Sequence, residues 1–330
     1  MAIKIGINGF GRIGRYFTRL AIADQEIEIV AINDLANAAT LAHLFKYDSI
    51  HRQFDGAVAH DESHLIINNH PIKMTQFKDP GDIPWGEMGV DIVIECSGLF
   101  RTRPLASKHL QAGAKKVILS APPKDDSIQT VVIGINENVL TGKEDIISNA
   151  SCTTNSAAPL VKVIKTLGQI ESCFITTVHS YTSDQRLQDA PHADLRRARA
   201  AAESIVPTTT GAAKAITKIF PELEGAMGGC GIRVPVPDGS LTDMTFIMDK
   251  QLTVAEINAA FLSASKNDLK GLLYYMEDPI VSRDIIGSPY STTFDSLLTS
   301  VIGKMVKVVA WYDNEAGYSN RLLDLVKKVG

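Results

Sequence analysis

Cysteine is scarce in this sequence, with four in 330 residues, at positions 96, 152, 173 and 230. No two of them form a CxxC pair or a zinc-ligand spacing, which argues against a disulfide framework or a metal site and fits a reducing, cytoplasmic setting. Long apolar runs are missing too. No segment reaches the roughly 18 apolar residues of a membrane span, and the run Ile3 to Ile7 stops at Gly9, too short for a signal peptide. A basic excess is also absent. Lys and Arg number 33 against 37 Asp and Glu, a net charge of −4, so there is no electrostatic footprint for nucleic acid or an anionic membrane. There is no internal repeat and no low-complexity tract. What remains is an ordinary globular composition, 45% hydrophobic and 21% charged, in a chain longer than one core usually holds. Two domains are expected.

The chain is organised around Ser148-Asn149-Ala150-Ser151-Cys152-Thr153-Thr154-Asn155. A short apolar strand runs into it, and Ala157, Leu160, Val161, Val163, Ile164 and Leu167 recur after it at helical spacing until Gly168. Cys152 therefore sits at a helix N-terminus, where free N–H groups and the macrodipole favour a thiolate, the form a covalent mechanism needs. The plainer reading is a buried thiol acting as a small hydrophobe. The polar neighbours Ser151, Thr153, Thr154 and Asn155 weigh against it, but position alone leaves both readings open.

Near the start, the strand Lys4 to Asn8 runs into Gly9-x-Gly11-x-x-Gly14, followed by a helical pattern from Arg12 to Ala23 and a second strand, Glu28 to Ile32. Asp34 closes that strand. A glycine triplet alone is turn chemistry. Set between strand and helix, with an acid at the end of the next strand, it is a dinucleotide site in which backbone approaches a pyrophosphate and the carboxylate takes a ribose hydroxyl. That carboxylate repels a 2′-phosphate, which favours NAD over NADP.

Further strand and helix patterns follow: Val90 to Glu95, Ala106 to Ala112, Lys116 to Ser120, Val131 to Ile135 and Ile146 to Ser148. Their alternation predicts a parallel sheet with helices on its faces. His60, His64 and His70 fall between, on alternating segments that read as solvated hairpins and not as a metal site. Beyond the Cys152 helix, strands adjoin strands: Ser172 to Ser180, Gly231 to Val236, Leu241 to Gln251, Leu272 to Met276, Thr292 to Leu298 and Val306 to Asp313. One helix, Val254 to Ser265, interrupts them, and Gly317 to Val329 closes the chain as an amphipathic helix. The predicted fold is an α/β Rossmann-type dinucleotide-binding domain plus an α+β catalytic domain with a mostly antiparallel sheet. The expected boundaries are 1–151 with 317–330, and 152–316.

His179 ends the strand after Phe174 and is a candidate base for Cys152, or a structural histidine. From Tyr181 to Gly211 the chain is polar and cationic, with Arg186, Arg196, Arg197 and Arg199 leading to Thr208-Thr209-Thr210-Gly211. Hydroxyls, amides and a guanidinium suit a phosphate. A solvated basic face forming ion pairs is the alternative, and it is the reading for Arg196 and Arg199.

These segments resemble the phosphorylating glyceraldehyde-3-phosphate dehydrogenases from one end of the chain to the other. The matching stretches are INGFGRIGR at Ile7 to Arg15, SNASCTTN at Ser148 to Asn155, HSYT at His179 to Thr182, DLRRARAAA at Asp194 to Ala202, PTTTGAAKA at Pro207 to Ala215, RVPVP at Arg233 to Pro237 and WYDNE at Trp311 to Glu315. The resemblance implies Cys152 as nucleophile and His179 as base, with a thiohemiacetal oxidised to a thioester that inorganic phosphate cleaves. It implies Thr182 and Arg233 on the substrate phosphate, and Ser151, Arg197, Thr210 and Gly211 on the attacking phosphate, with Thr153 beside them. For NAD it implies Gly9, Gly11, Arg12, Ile13, Gly14, Asp34, Lys78, Ser120 and Asn314, and Leu35 and Pro191 resemble the pair that goes with NAD preference. Residues 181–204 would form the S-loop of a cytoplasmic homotetramer with no nucleic-acid or membrane partner. The sister erythrose-4-phosphate dehydrogenases share the Cys and His, and a catalytically silent NAD- or nucleic-acid-binding protein is a further alternative; HSYT, PTTTG and the intact Cys152, His179 and Arg233 favour the triose enzyme. Two positions depart from the family pattern. Ser156 stands where a second Cys often follows, and Ala316, where Trp or Thr is frequent, is expected to loosen the packing near Asn314.

Overall fold

A computed structural model describes residues 2–330, which divide into two compact units. The first comprises residues 2–133, 137–150 and 319–330, and the second 134–136 and 151–318. The first unit carries β1 (Ile3–Asn8), α1 (Arg12–Ala21), β2 (Ile27–Asn33), α2 (Ala38–Lys46), β3 (Val58–His60), β4 (His64–Ile67), β5 (His70–Thr75), β6 (Ile92–Glu95), α3 (Arg103–Gln111), β7 (Lys116–Leu119), β8 (Gln129–Thr130) and β9 (Ile146–Ser148). Its sheet runs β3-β4-β5-β2-β1-β6-β7-β9-β8, parallel from β5 onward, with β3 to β5 joined as antiparallel hairpins.

The strand order reverses at β1, which pairs with β2 on one side and β6 on the other. A crevice at the carboxyl ends of such neighbours is where doubly wound sheets bind ligands. Ile5, Ile7, Ile92 and Ile94 bury the strands' apolar faces against Phe10, Phe17 and Phe45. Such near-continuous apolar strands are what a sheet covered on both faces requires. Expected as a strand over Val131 to Ile135, the chain is strand only at Gln129–Thr130. Val131 still donates to the Ser148 carbonyl at 2.8 Å, but Gly134 at φ +82° turns the backbone away.

The second unit carries α4 (Cys152–Lys165), β10 (Ile170–Ser180), β11 (Val206–Thr208), α5 (Ala212–Ile219), β12 (Met227–Val234), β13 (Ser240–Met248), α6 (Val254–Lys266), β14 (Leu273–Met276), β15 (Thr292–Asp295), β16 (Ser300–Ile302) and β17 (Met305–Tyr312). Its sheet, β11-β12-β10-β13-β17-β15-β14 with β16 beside β17, is mainly antiparallel; β10–β12 and β14–β15 are parallel. Helix α5, absent from the sequence expectation, follows Gly211 directly. The last helix, α7 (Ala316–Val329), buries Leu322, Leu325 and Val326 in the core of the first unit. Among the described residues no helix is long and apolar enough to cross a membrane.

Candidate active site

Strand β9 ends at Ser148 and α4 begins at Cys152, and the turn between them is tight enough to hold Ala150 at φ +57°. A non-glycine residue in the left-handed region is strained, and such strain collects at functional turns. Ser151 caps the helix, its Oγ accepting from the Thr154 N–H at 3.1 Å. Cys152 follows as the first helical residue, where its own N–H has no partner within the helix.

His179 lies at the carboxyl end of β10, and its Nε2 is 3.4 Å from Cys152 Sγ. The other ring nitrogen, Nδ1, is 2.7 Å from the Ser180 carbonyl. A carbonyl only accepts, so the tautomer with the proton on Nδ1 satisfies it and turns the Nε2 lone pair toward the thiol, whereas a guanidinium bonded to Nδ1 would favour the other tautomer. Parallel pairing of β10 with β12 sets Arg233 directly beside His179. Arg233 Nη1 donates to the same Ser180 oxygen at 2.9 Å and approaches Nδ1 at 2.8 Å. Two donors thus share one acceptor, an arrangement that disfavours any further positive charge on the ring. Burial and then the Arg233 charge push the His179 pKa down to about 3.

Burial raises the Cys152 pKa, outweighing the Arg233 charge and the N–H and hydroxyl of Thr153, which pull the other way. A helix N-terminus is a local feature and desolvation a tertiary one, and here desolvation wins. Both shifts favour the neutral pair, thiol and imidazole. Thr153, expected beside a phosphate, is buried, with Oγ1 2.9 Å from Tyr312 Oη; that phenol is also 2.9 Å from Thr177 Oγ1. Burial keeps Tyr312 protonated, and its ring meets His179 edge-on. Ser156, on the Cys152 face one turn later, is fully buried and its Oγ lies 3.0 Å from Thr242 Oγ1 and 3.3 Å from Thr292 Oγ1.

Next to this pair lies a cluster of anion-binding groups joined by an acid that the sequence did not single out. Asp184 takes the Thr182 hydroxyl and an Arg197 N–H, and Arg233 Nη2 stands 3.9 Å from it. Burial alone would raise its pKa; Thr182, Arg233 and Arg197 together hold it below the ordinary value. Arg197 also donates from Nε to Thr208 Oγ1 at 3.0 Å, and that hydroxyl donates to Asp194 at 3.0 Å. Two guanidiniums and a threonine expected on two different phosphates are therefore brought together around one carboxylate. Thr210 and Gly211 lie at the start of α5, with Ala212 N donating to Thr210 Oγ1 at 3.2 Å. Arg199 pairs with Asp189 at 2.9 Å, and the Arg196 N–H bonds Asp194 at 2.9 Å. The sequence signals here are HSYT and the run of threonines, and partners across a loop cannot be read from them.

Apart from Asn314, the expected cofactor residues lie in the first unit. Gly9 has φ +93°, and a Cβ there would lie 2.7 Å from Ser97 N. A Cβ on Gly14 would lie 2.5 Å from the Gly9 carbonyl, whereas one on Gly11 would meet nothing within 4 Å. The first glycine makes the turn, the third lets helix and strand close, and the second leaves open space above a helix start with no side-chain cap. This is the cradle a pyrophosphate fits. Asp34 Oδ2 accepts from the Phe10 N–H at 2.8 Å, which ties the acid to the same turn. Ile13 is half-buried, Lys78 is exposed beyond β5, and Ser120 donates its N–H to the Glu95 carbonyl at 3.0 Å. Asn314 lies in the second unit, where the hydroxyls of Ser180 and Ser240 donate to its Oδ1 at 2.9 and 2.7 Å, fixing which side offers the amide N–H groups. Ala316, two residues on, is fully buried, so the expected loosening does not expose a gap to solvent.

The Arg12 guanidinium is held by Asp48, at 2.6 and 3.1 Å. Burial would raise the Asp48 pKa, but the His51 N–H, Arg12 and the Ile50 N–H outweigh it and bring the value from 3.8 to about 2. The carboxylate is thus bound more tightly in the folded chain. Its contribution, about 2 kcal/mol, is fully present above the unfolded value and is lost as pH falls through the folded one. Urea unfolding across that acid window is expected to show the loss in the native chain and not in Asp48→Asn, whose stability is already lower at neutral pH.

Comparison with known proteins gives one answer along the whole chain. A profile described as "Glyceraldehyde 3-phosphate dehydrogenase, NAD binding domain" matches residues 3–103, and one described as "Glyceraldehyde 3-phosphate dehydrogenase, C-terminal domain" matches residues 151–314. The glyceraldehyde-3-phosphate dehydrogenase of Geobacillus stearothermophilus is 54% identical over 98% of this chain and 97% of its own length. That of Streptomyces coelicolor is 54% identical over 100% and 99%, and glyceraldehyde-3-phosphate dehydrogenase 1 of Bacillus subtilis is 51% identical over 98% and 97%.

Proposed function

The chain belongs to the glyceraldehyde-3-phosphate dehydrogenase family of NAD-dependent enzymes, and from that premise we propose how its residues carry the reversible oxidation of D-glyceraldehyde 3-phosphate to 1,3-bisphosphoglycerate. The observation that carries the reading is the 3.4 Å approach of Cys152 Sγ to a His179 Nε2 whose partner nitrogen is anchored on a carbonyl. Sulfur attacks the aldehyde carbon as its proton moves to Nε2, so no free buried thiolate has to persist. Nε2–H and the Cys152 N–H then face the developing oxyanion, which takes the proton to give a thiohemiacetal. NAD, when bound, supplies the hydride acceptor for oxidation to the thioester. His179 takes back the hydroxyl proton during that step and returns it to sulfur when a phosphate oxygen attacks the thioester carbon and the C–S bond breaks.

In this reading Thr182 and Arg233 hold the substrate phosphate, and Ser151, Arg197, Thr210 and Gly211 the attacking one. Thr153 acts through the sulfur and Tyr312. Gly9, Gly11, Gly14, Ile13, Asp34, Lys78, Ser120 and Asn314 serve NAD, as does Arg12, through its backbone because its guanidinium is engaged by Asp48. The unit 1–151 with 317–330 binds cofactor and 152–316 does the chemistry. We further propose a homotetramer in the cytoplasm. Leu187 and Leu195, 76% and 81% exposed within the S-loop, support a subunit contact there, and four free cysteines support a reducing compartment.

The test is NADH formation from glyceraldehyde 3-phosphate with and without inorganic phosphate. Phosphate is expected to raise steady turnover by at least about tenfold, because the thioester otherwise waits on slow hydrolysis. Equal turnover without phosphate would remove the attacking-phosphate site, and faster oxidation of erythrose 4-phosphate would move the assignment to the sister enzyme.

A further inference from the structure

Beneath the glycine turn, at the end of β6, sits a carboxylate on which two one-way chains of hydrogen bonds converge. Glu95 is 1% exposed and lies opposite Asn8, the last residue of β1, where the strand order reverses. The first chain starts at the Phe77 N–H, a backbone group that only donates. It gives to Asn33 Oδ1 at 2.8 Å, Asn33 Nδ2 gives to Asn8 Oδ1 at 2.8 Å, and Asn8 Nδ2 gives to Glu95 Oε2 at 2.6 Å. The second starts at the Trp85 indole, also a donor only. Its Nε1 is 3.0 Å from His109 Nδ1, so His109 carries its proton on Nε2, which is 3.0 Å from Glu95 Oε2. Neither amide nor the imidazole can reverse without setting donor against donor. The other oxygen, Oε1, takes the Ser97 N–H at 2.8 Å and the Ser97 hydroxyl.

A buried histidine is most simply a satisfied core residue, but this network ends on the cofactor side of the sheet. Asn8 precedes Gly9, whose backbone packs against Ser97, and Ser97 and Gly98 are exposed there. The Glu95 carbonyl holds the Ser120 N–H as well. Trp85 is built in from below: a Cβ on Gly6 would lie 2.6 Å from its ring. We propose that Glu95, polarised through His109 and Trp85, is a positioning residue for NAD, fixing the Gly9 turn and Ser97 relative to one another. The proposal rests on the cofactor reading above.

Glu95→Gln keeps the size and removes one acceptor. Its amide must abandon either the Ser97 N–H or both Asn8 and His109, because these donors are fixed; only the Ser97 hydroxyl can turn to accept. NAD affinity, measured by calorimetry on the full-length protein, is expected to fall at least about tenfold and KM for NAD to rise in parallel. Turnover at saturating NAD and alkylation of Cys152 by iodoacetamide are expected to stay within about twofold, since they report the cysteine site. His109→Gln, which keeps a donor at the Nε2 position, is expected to bind NAD nearly as the native chain does; His109→Leu is expected to weaken it. A lowered melting temperature with unchanged NAD affinity in Glu95→Gln would make Glu95 a core residue only. Should Glu95→Gln not fold, equal NAD affinity in the two His109 variants would overturn the proposal equally. Failure of the native protein to bind NAD would instead sink the cofactor reading itself.

Discussion

Cys152→Ser is expected to reduce phosphate-dependent NADH formation by at least about ten-thousand-fold. A serine hydroxyl in this place is a far weaker nucleophile and gives an ester instead of a thioester, a poorer acceptor for phosphate. His179 can still take a proton from it, but a neutral imidazole whose pKa lies near 3 is a weak base for an alcohol. The cysteine helix is capped by Ser151, not by Cys152, so the fold and the NAD affinity of the first unit are expected to persist. Stopped-flow measurement of the first turnover checks the point. A burst of NADH in the variant would place the nucleophile elsewhere, and unchanged steady turnover would remove Cys152 from the chemistry altogether.

His179→Asn is expected to lower turnover by roughly a thousandfold and to slow alkylation of Cys152 at neutral pH. Half-buried and held up in pKa, the thiol needs an acceptor for its proton, and Nε2 is the group beside it. Asparagine can still hydrogen-bond but cannot take that proton. The alkylation rate of the variant should therefore climb only at higher pH than in the native chain, toward the raised range of an unassisted buried thiol. A pH profile that overlays the native one would show that the thiolate forms without His179, and the helix N-terminus would then be sufficient by itself. The two variants separate the proposed roles: one removes the proposed nucleophile, the other its proposed activation.

The features legible in the sequence were those with a local cause. Gly9, Gly11, Gly14 and Asp34 declare a dinucleotide turn because strand, turn and helix are contiguous, and the Cys152 turn is legible for the same reason. Helix α5 is not legible because its eight residues bury only Ala212 and Ile216, and α2 because Ala38–Lys46 shows weak periodicity. The approach of His179 to Cys152, the Tyr312 phenol between Thr153 and Thr177, and the placement of Asp184 between two arginines depend on partners far along the chain. So does the chain from Trp85 to Glu95. No spacing rule encodes a contact that only sheet order creates.

Ala150 carries a consequence of another kind, for the thermodynamics of the unfolded chain. Its left-handed backbone costs about 1 kcal/mol in the folded protein, a cost that glycine would avoid. Glycine would also give the unfolded chain more conformations to lose, by a similar amount. The two effects nearly cancel in stability, yet they differ in what they leave behind. The methyl group is fully enclosed, so alanine narrows the angular wander of the peptide plane that leads into Cys152. Stability measurements would register almost nothing at this position, while the spread of sulfur-to-imidazole distances, and with it the fraction of time the proton can transfer, would change.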